Sequence, residues 1–192
     1  MPKIVTITVN PAIDHAVEVS EFLTNQVISA KSSMVVPAGK GVNVSRTVAS
    51  LGYDTTALGF VGASSVEFFE SLQSNRITTK FSKVPGANRI NVTICDLSSG
   101  SITHIRTPSF FVMQEDIDSL GSIIRNTVMT DDVVVLSGGL PNGVKLSTYC
   151  QFIDICHDIG ATVILDSSGS ILKASLESKP DVIKPNIFEL EE

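Results

Sequence analysis

The sequence lacks the features that mark several classes of protein. None of its apolar runs is long enough to cross a bilayer as a helix. Its first residues, MPKIVTITVN, do not have the charged and then apolar layout of a signal peptide. Only 18% of the residues are charged while 43% are hydrophobic, which excludes a disordered chain and favours a packed domain. We therefore expect a cytoplasmic protein that has no membrane partner.

Cysteine, histidine and basic residues are also sparse. The cysteines Cys95, Cys150 and Cys156 form no C-x-x-C pair, so reduced thiols are expected rather than a disulfide framework. The three histidines do not have the spacing of metal ligands. Lysine and arginine number 14 against 20 acidic residues, a net charge of −6, whereas a nucleic-acid partner requires a basic surface. The protein is therefore expected to bind no nucleic acid.

Strand-like and helix-like segments alternate over most of the 192 residues. Runs rich in β-branched residues predict buried strands at 3–9, 55–62, 132–137 and 161–166. Apolar residues at helical spacing predict helices at 41–51, 65–73, 117–128 and 144–159. This alternation predicts an α/β protein whose parallel sheet is covered by helices on both faces.

Two β-rich stretches do not follow this alternation. Residues from about 15 to 36 and from about 77 to 110 contain short β-like runs without a convincing helix, and SSG at 98–100 indicates a turn. NPAID at 10–14 is interpreted as a loop. We expect the two stretches to form a small separate sheet within one domain that spans 1–192.

Polar residues and glycines fall where the predicted strands end. They are Asn10 and Asp14, then 137–139 (Ser-Gly-Gly), then 166–168 (Asp-Ser-Ser), then 184–186 (Lys-Pro-Asn). Ligands of parallel sheets bind beyond the carboxyl ends of the strands. These residues therefore predict a ligand site at that edge of the sheet.

The segment PAGKGVNVSR, residues 37–46, precedes the first predicted helix. It is neither a P-loop nor a dinucleotide-binding loop, because the required glycines are missing. Its glycines still allow a ligand to approach the free amides at a helix start, where Lys40 offers a cation and Asn43 a hydrogen-bonding amide. On spacing alone, a tight turn with an exposed lysine is an equally good interpretation.

Four further candidates also have structural alternatives. Asp14 either caps a helix or turn, or binds sugar hydroxyls. Arg89 is either a solvated charge on an edge strand or a ligand for a phosphate. The segment SGGLP at 137–141 is either a turn or a site where backbone amides approach a ligand, and Asp166 is a candidate cap for the helix that follows.

Six motifs in order along the chain resemble those of the PfkB (ribokinase-like) family of carbohydrate kinases, in its phosphosugar branch. They are TVNPAID at 8–14, AGKGVNVSR at 38–46, RINV at 89–92, SGGLP at 137–141, LDSSG at 165–169 and VIKPNIFEL at 182–190. The resemblance implies a three-layer α/β/α sandwich with a mostly parallel central sheet and a small β lid. The two β-rich stretches would supply the lid, and the lids of the family often pair into a homodimer.

The resemblance also implies roles for individual residues. Substrate-binding positions for a phosphorylated sugar are Asp14, Gly39, Lys40, Asn43, Arg89, Gly138 and Gly139. Positions near ATP and Mg²⁺ are Lys184, Asn186 and Glu189, with Glu189 near the metal directly or through water. The implied reaction transfers the γ-phosphoryl group of ATP to a hydroxyl of a sugar phosphate. RINV favours fructose 1-phosphate over tagatose 6-phosphate as that substrate.

Two departures from the family pattern bear on activity. Gly139 stands where the family usually has serine, so one hydroxyl that contacts substrate is missing. The sequence ends shortly after Glu189, whereas family members continue to a G-A-G-D motif that carries the catalytic base. We therefore expect no catalytic base among these residues and an inactive or nearly inactive 192-residue chain. A non-catalytic fragment that binds sugar phosphate is the alternative.

Overall fold

The main layer of the protein is a six-stranded sheet, seen in a computed structural model that describes residues 2–191. The order of its strands is β10-β9-β8-β1-β4-β5, and every neighbouring pair is parallel. The bounds of these strands are β1 Ile4–Thr8, β4 Thr55–Gly62, β5 Ile77–Val84, β8 Val133–Ser137, β9 Thr162–Asp166 and β10 Val182–Ile183. The predicted α/β class with a parallel central sheet is confirmed.

Helices cover both faces of this sheet. Their bounds are α1 Lys40–Ser50, α2 Val66–Glu70, α3 Gln114–Arg125, α4 Ser147–Ile159, α5 Gly169–Ser175 and α6 Ile187–Glu191. On one face α1 and α2 contribute Val42 and Phe69 to a small cluster with Val61. On the other face α3 and α4 bury Leu120 and Phe152 in the larger core. Across residues 2–191, no helix is both long and apolar enough to cross a membrane.

A second sheet of four strands stands beside the main layer, and we call it the lid. Its order is β3-β2-β6-β7, with bounds β2 Ala12–Val19, β3 Ser32–Ala38, β6 Arg89–Asp96 and β7 Ile102–Arg106. Asp96 closes the predicted turn after β6, because its carboxylate accepts hydrogen bonds of 2.8 Å from the amide and the hydroxyl of Ser98. The expectation of a small separate sheet is therefore met.

Three local predictions are wrong. The stretch 77–110 does not belong wholly to the lid, because β5 pairs with β4 in the main sheet and the chain reaches the lid only at β6. No helix separates β5 from β6, so the sequence pattern offered no boundary between the two sheets. NPAID is not all loop, since Ala12 begins β2. The run at 27–30 forms no strand, and Val27 is fully exposed.

Three glycines allow the backbone to close around Thr8, the last residue of β1. A Cβ on Gly39 would lie 2.8 Å from the Thr8 methyl group, and one on Gly41 would overlap the Thr8 hydroxyl. A Cβ on Gly59 would overlap the Thr8 carbonyl oxygen, and the φ of Gly59 is +148°, which side chains rarely adopt. Any larger residue at Gly59 must therefore push β1 and β4 apart.

We expect Gly59→Ala to lower the free energy of unfolding by about 2 kcal/mol or more, from backbone strain and overpacking. Urea denaturation measures this change. Gly139→Ala is the matched control, because Gly139 has no atom within 4 Å of an added Cβ. Its effect should stay within about 0.5 kcal/mol. Equal effects of the two substitutions would contradict the close contact at Thr8.

Candidate active site

The carboxyl ends of the main strands and the lid enclose a cavity of about 390 Å³. It contains all of the residues predicted to bind substrate, together with four that were not predicted as such, Thr8, Asn10, Asn91 and Arg106. The complete lining is Thr8, Asn10, Asp14, Gly39, Lys40, Asn43, Arg89, Asn91, Arg106, Gly138 and Gly139. The cavity therefore lies at the edge of the sheet where the strand-end residues predicted a ligand site.

Buried polar atoms without a partner distinguish this cavity from the others. Within residues 2–191 they are Thr8 Oγ1, Ser137 Oγ, Arg89 Nε and Asn91 Oδ1, all in or beside the cavity. Such atoms are rare in native proteins and are normally satisfied by water or a ligand. A slightly larger cavity of about 420 Å³ at the amino ends of the strands has no such atoms, and its Arg76 is paired with Asp54. The carboxyl-end cavity is therefore the candidate site.

The glycine-lysine-glycine segment joins β3 of the lid to α1. Gly39 has a φ of +138° and precedes the helix, which begins at Lys40 without a side-chain cap. The first amides of α1 therefore have no side-chain acceptor, and the glycines leave them open to a ligand. Asn43, in the first turn, also lines the cavity.

Lys40 is partly exposed, as the alternative interpretation expected, but it is also part of an ion-pair cluster. Its Nζ lies 3.3 Å from Asp166 Oδ1 and 3.8 Å from Glu189 Oε1. The Nζ of Lys184 lies 3.5 Å from the same oxygen of Asp166. Asp166 thus connects the lysine that lines the cavity with the residues predicted near the nucleotide.

Those predicted nucleotide-side residues lie outside the cavity and next to it. Asn186 and Glu189 form two reciprocal hydrogen bonds at the start of α6. The backbone amide of Asn186 donates to Glu189 Oε2 at 2.8 Å. The backbone amide of Glu189 donates to Asn186 Oδ1 at 2.9 Å. The N-x-x-E motif therefore acts locally as a capping box, which leaves Glu189 Oε1 directed toward Lys40.

Asp166 does not cap the helix that follows it, contrary to one sequence interpretation. The residue that precedes α5 is Ser168, and the Asp166 carboxylate instead contacts the two lysines. Its carbonyl oxygen accepts a hydrogen bond of 3.0 Å from the Gly138 amide. The sequence pattern predicted that Asp166 lies at a strand end but could not show which side chains it contacts.

Two buried hydroxyl groups hold the backbone of Gly138 in place. Tyr149 is completely buried and donates to the Gly138 carbonyl at 3.1 Å, as does the Ser167 hydroxyl at 3.1 Å. Burial and then the negative charge of Asp166 raise the pKa of Tyr149 far above its usual value. Tyr149 therefore remains a protonated donor that holds the Gly138–Gly139 backbone at the cavity.

Asp14 lies in strand β2 and caps neither a helix nor a turn, so that alternative is wrong. It pairs with Asn91 across the parallel β2–β6 ladder, and Asn91 Nδ2 donates to Asp14 Oδ1 at 2.8 Å. The sequence reasoning missed Asn91. The signal was present, because residues two apart in a strand share a face and Asn91 follows Arg89 by two.

Arg89 is not an edge charge, because β6 lies between β2 and β7 in the lid. Its guanidinium donates to the Asn10 carbonyl at 3.3 Å. Burial first, and then the charge of Arg106, lower the pKa of Arg89, while Asp14 acts in the opposite direction. Arg106, at the end of β7, was also missed, since nothing in its own neighbourhood marks it.

Comparisons with known proteins match this chain along nearly its whole length. A family model described as "pfkB family carbohydrate kinase" matches residues 6–192. A 1-phosphofructokinase of Vibrio cholerae is 34% identical over 189 residues, which cover 98% of this chain and 59% of that protein. A tagatose-6-phosphate kinase of Staphylococcus epidermidis is 33% identical over 190 residues, or 97% of this chain and 61% of that protein.

A solved structure shows the same fold. The tetrameric inhibited form of phosphofructokinase-2 from Escherichia coli matches with a TM-score of 0.90 and 27% identity, over 100% of this chain and 63% of that one. The present chain spans about 60% of the length of the curated relatives it matches.

We expect Tyr149→Phe to lower the free energy of unfolding by about 1 kcal/mol, because the Gly138 carbonyl loses one of its two hydroxyl donors. Tyr53→Phe is the matched control, since the Tyr53 side chain is 67% exposed. Chemical denaturation of both variants checks the difference. A loss no larger than that of Tyr53→Phe would show that the Tyr149 hydroxyl does not hold the Gly138 backbone.

Proposed function

The chain belongs to the pfkB family of carbohydrate kinases, and from this premise we propose that it carries the sugar-phosphate side of an ATP-dependent kinase. The proposed substrate is fructose 1-phosphate, converted to fructose 1,6-bisphosphate, with tagatose 6-phosphate as the alternative. Relatives named for each of these activities support the class of reaction. We also propose a cytoplasmic location, where ATP and sugar phosphates are metabolised.

The observation that carries this proposal is the convergence of complementary groups on one cavity. Asp14 and Asn43 supply a carboxylate and an amide for sugar hydroxyls, and Arg89 supplies a guanidinium for a phosphate. Glycines at 39 and 138–139 leave room for the ligand against the backbone. We propose that the sugar lies between the lid and the start of α1 and that its reacting hydroxyl points toward Lys40.

Lys40 is proposed to stabilise the phosphoryl group during transfer. It lies between the cavity and the Asp166–Glu189 carboxylates, so its charge faces both the substrate and the predicted nucleotide side. Phosphoryl transfer depends mainly on positioning and on neutralising phosphate oxygens. Lys184, which is held by Asp166, is proposed to contact the nucleotide from the other side.

The carboxylates near Lys40 fit the requirements of Mg²⁺. Magnesium in kinases is held by one or two carboxylates, with waters and substrate phosphates as the remaining ligands. Of the described residues, no three His, Cys, Asp or Glu side chains cluster as a complete metal site, so most ligands would come from ATP and water. We propose that Glu189 holds the ion directly or through water, and the ion would neutralise charge on the phosphate oxygens.

The 192-residue chain alone is proposed to turn over little or no substrate. A general base needs a carboxylate that is free to accept the proton of the attacking hydroxyl. Of the two aspartates nearest the cavity, Asp166 is paired with two lysines, and Asp14, oriented by Asn91, is assigned here to binding the sugar hydroxyls. A coupled assay with ATP, Mg²⁺ and fructose 1-phosphate should therefore give a rate close to background, and substantial turnover would contradict this part of the proposal.

Binding of the sugar phosphate is the property that the chain should retain. Calorimetry with fructose 1-phosphate, tagatose 6-phosphate and ATP, each alone, should show binding of at least one sugar phosphate. Asp14→Asn should weaken that binding about tenfold or more, because a charged acceptor is lost. Asp158→Asn, on the exposed side of α4, should change nothing. Tight binding of ATP without binding of either sugar phosphate would overturn the proposal.

We further propose that two chains form a homodimer through the lid. The register of the lid places Val35, His15, Val92 and Ile105 in one mostly apolar row, on the sheet face opposite Asp14. Val35 is 45% exposed and Ile105 is 49% exposed, so the apolar members of this row are incompletely covered. Burial of such a face by a second copy is favourable, and the related phosphofructokinase-2 of Escherichia coli forms a tetramer in its inhibited form.

Ile105→Lys tests this dimer, because a charge in the apolar row should prevent association. Ile102→Lys is the matched control: Ile102 lies in the same strand, is 59% exposed and points to the opposite face. Sedimentation should give a dimer for the unaltered chain and for Ile102→Lys, and a monomer for Ile105→Lys. Dissociation caused only by Ile102→Lys would show that the dimer uses the other face.

A further inference from the structure

Four connections join the lid to the main layer within residues 2–191, and no strand pairs across the two sheets there. The first connection, residues 9–11, leads from β1 into β2, and the last, residues 107–113, leads from β7 to α3. The cavity lies between the lid and the main sheet, so its width depends on how these connections are held. Asn10 lies in the first connection and lines the cavity.

The carboxamide of Asn10 forms hydrogen bonds to two segments that are distant in the sequence. Its Nδ2 donates to the carbonyl oxygen of Leu140 at 3.1 Å. Its Oδ1 accepts a hydrogen bond of 2.9 Å from the hydroxyl of Ser109. Leu140 directly follows the Gly138–Gly139 backbone of the cavity, and Ser109 lies in the last connection. One side chain therefore bridges the sheet side of the cavity and the chain that leaves the lid.

The backbone from which this side chain projects is held by other contacts. The carbonyl oxygen of Asn10 accepts a hydrogen bond of 3.3 Å from Arg89, at the start of β6. The next carbonyl oxygen, that of Pro11, accepts one of 3.2 Å from Asn88 Nδ2. Asn88 Oδ1 in turn accepts one of 2.9 Å from the amide of Gly62, at the end of β4. The first connection is therefore fixed to both sheets.

The last connection is anchored as well. Phe110 is 4% exposed and Val112 is 1% exposed, and both belong to the larger core. The amide of Val112 donates to the carbonyl oxygen of Asn142 at 3.0 Å. Ser109 directly precedes Phe110, so its hydroxyl is held close to a buried anchor. Asn10 therefore bridges segments whose positions are set independently of its own side chain.

An asparagine suits this bridge because a carboxamide carries a donor and an acceptor in one plane. The Leu140 carbonyl needs a donor, and the Ser109 hydroxyl here needs an acceptor. An aspartate could accept from Ser109, but its carboxylate would repel the Leu140 carbonyl. An alanine would leave both groups without this partner.

We propose that Asn10 is a positioning residue that holds the Gly138–Gly139 backbone at a fixed distance from the lid, and that it acts through the Leu140 carbonyl and the Ser109 hydroxyl. This inference rests on the proposed function, in which the cavity binds a sugar phosphate. It gives Ser109 an influence on affinity although Ser109 does not line the cavity. A cavity whose walls are held before the ligand arrives loses less conformational freedom on binding.

The test measures binding of fructose 1-phosphate, or of tagatose 6-phosphate if only that sugar binds, to the 192-residue chain by calorimetry. Asn10→Ala should weaken binding about tenfold, and Ser109→Ala about threefold to tenfold, the range for lost hydrogen bonds. Because Ser109 acts through Asn10, the double variant should bind within about twofold of Asn10→Ala. This lack of additivity is not expected if Asn10 only contacts the ligand.

Two further variants serve as controls. Ser109→Thr keeps the hydroxyl and should restore binding to within about twofold of the unaltered chain. Asn126→Ala is the matched control for Asn10→Ala, because Asn126 is an exposed asparagine at the end of α3 and does not line the cavity. Its affinity should also stay within about twofold of the unaltered chain.

Nuclear magnetic resonance supplies a readout that needs no ligand. The chemical shift of a carbonyl carbon responds to the hydrogen bond that its oxygen accepts. In the ligand-free chain, Ser109→Ala should therefore move the carbonyl signal of Leu140 and the amide signal of Gly139, in the same direction as Asn10→Ala. Asn126→Ala should leave both signals in place. If Ser109 only stabilises its own connection, Ser109→Ala will not move them, and the inference is then wrong.

The binding results separate this inference from the proposed function. If the unaltered chain binds a sugar phosphate and Ser109→Ala binds it equally well, the inference is wrong and the proposed function stands. Additive losses in the double variant also overturn it, since the two residues then act separately. If the unaltered chain binds no sugar phosphate, the proposed function fails, and the signals of Leu140 and Gly139 alone decide the inference. Urea midpoints identify any loss that is due to unfolding, and Ser109→Ala is the deciding variant if Asn10→Ala does not fold.

Discussion

The close approach of three glycines to Thr8 is the constraint on which the site depends. Thr8 ends β1, and Gly39, Gly41 and Gly59 bring the end of the lid, the start of α1 and strand β4 against it. Because none of these positions has room for a Cβ, the backbone of each element is held within contact distance of the others. The first turn of α1 is thereby placed over the carboxyl edge of the sheet, where the cavity forms.

Charge is distributed unevenly around that cavity, and the distribution gives the site two halves. On the sheet side, the lysines Lys40 and Lys184 share the carboxylate of Asp166. On the lid side, Arg89 and Arg106 have no carboxylate within 4 Å among the described residues, and Asp14 is oriented by Asn91. A neutralised half suits a group that changes its charge during transfer, and a cationic half suits a permanent dianion.

Much of the fold and seven of the eleven residues that line the cavity could be predicted from the sequence. Alternating strands and helices predicted the parallel sheet, and polar residues at strand ends predicted the edge that carries the cavity, because both patterns are local. The assignment of β5 failed since no helix separates it from β6. Arg106 and Asn91 were missed because their significance comes from neighbours on other strands, and Asp166 was misinterpreted for the same reason.

The sequence by itself determined the fold class, the family resemblance and the identity of most of the residues that line the cavity. These follow from periodicity and from ordered motifs, which are properties of short segments. Only the tertiary structure decided that Lys40 is paired with Asp166 and that Arg89 and Arg106 converge. The physical reason is that electrostatic partners are set by distance in space, and Lys40 and Asp166 are 126 residues apart in the chain.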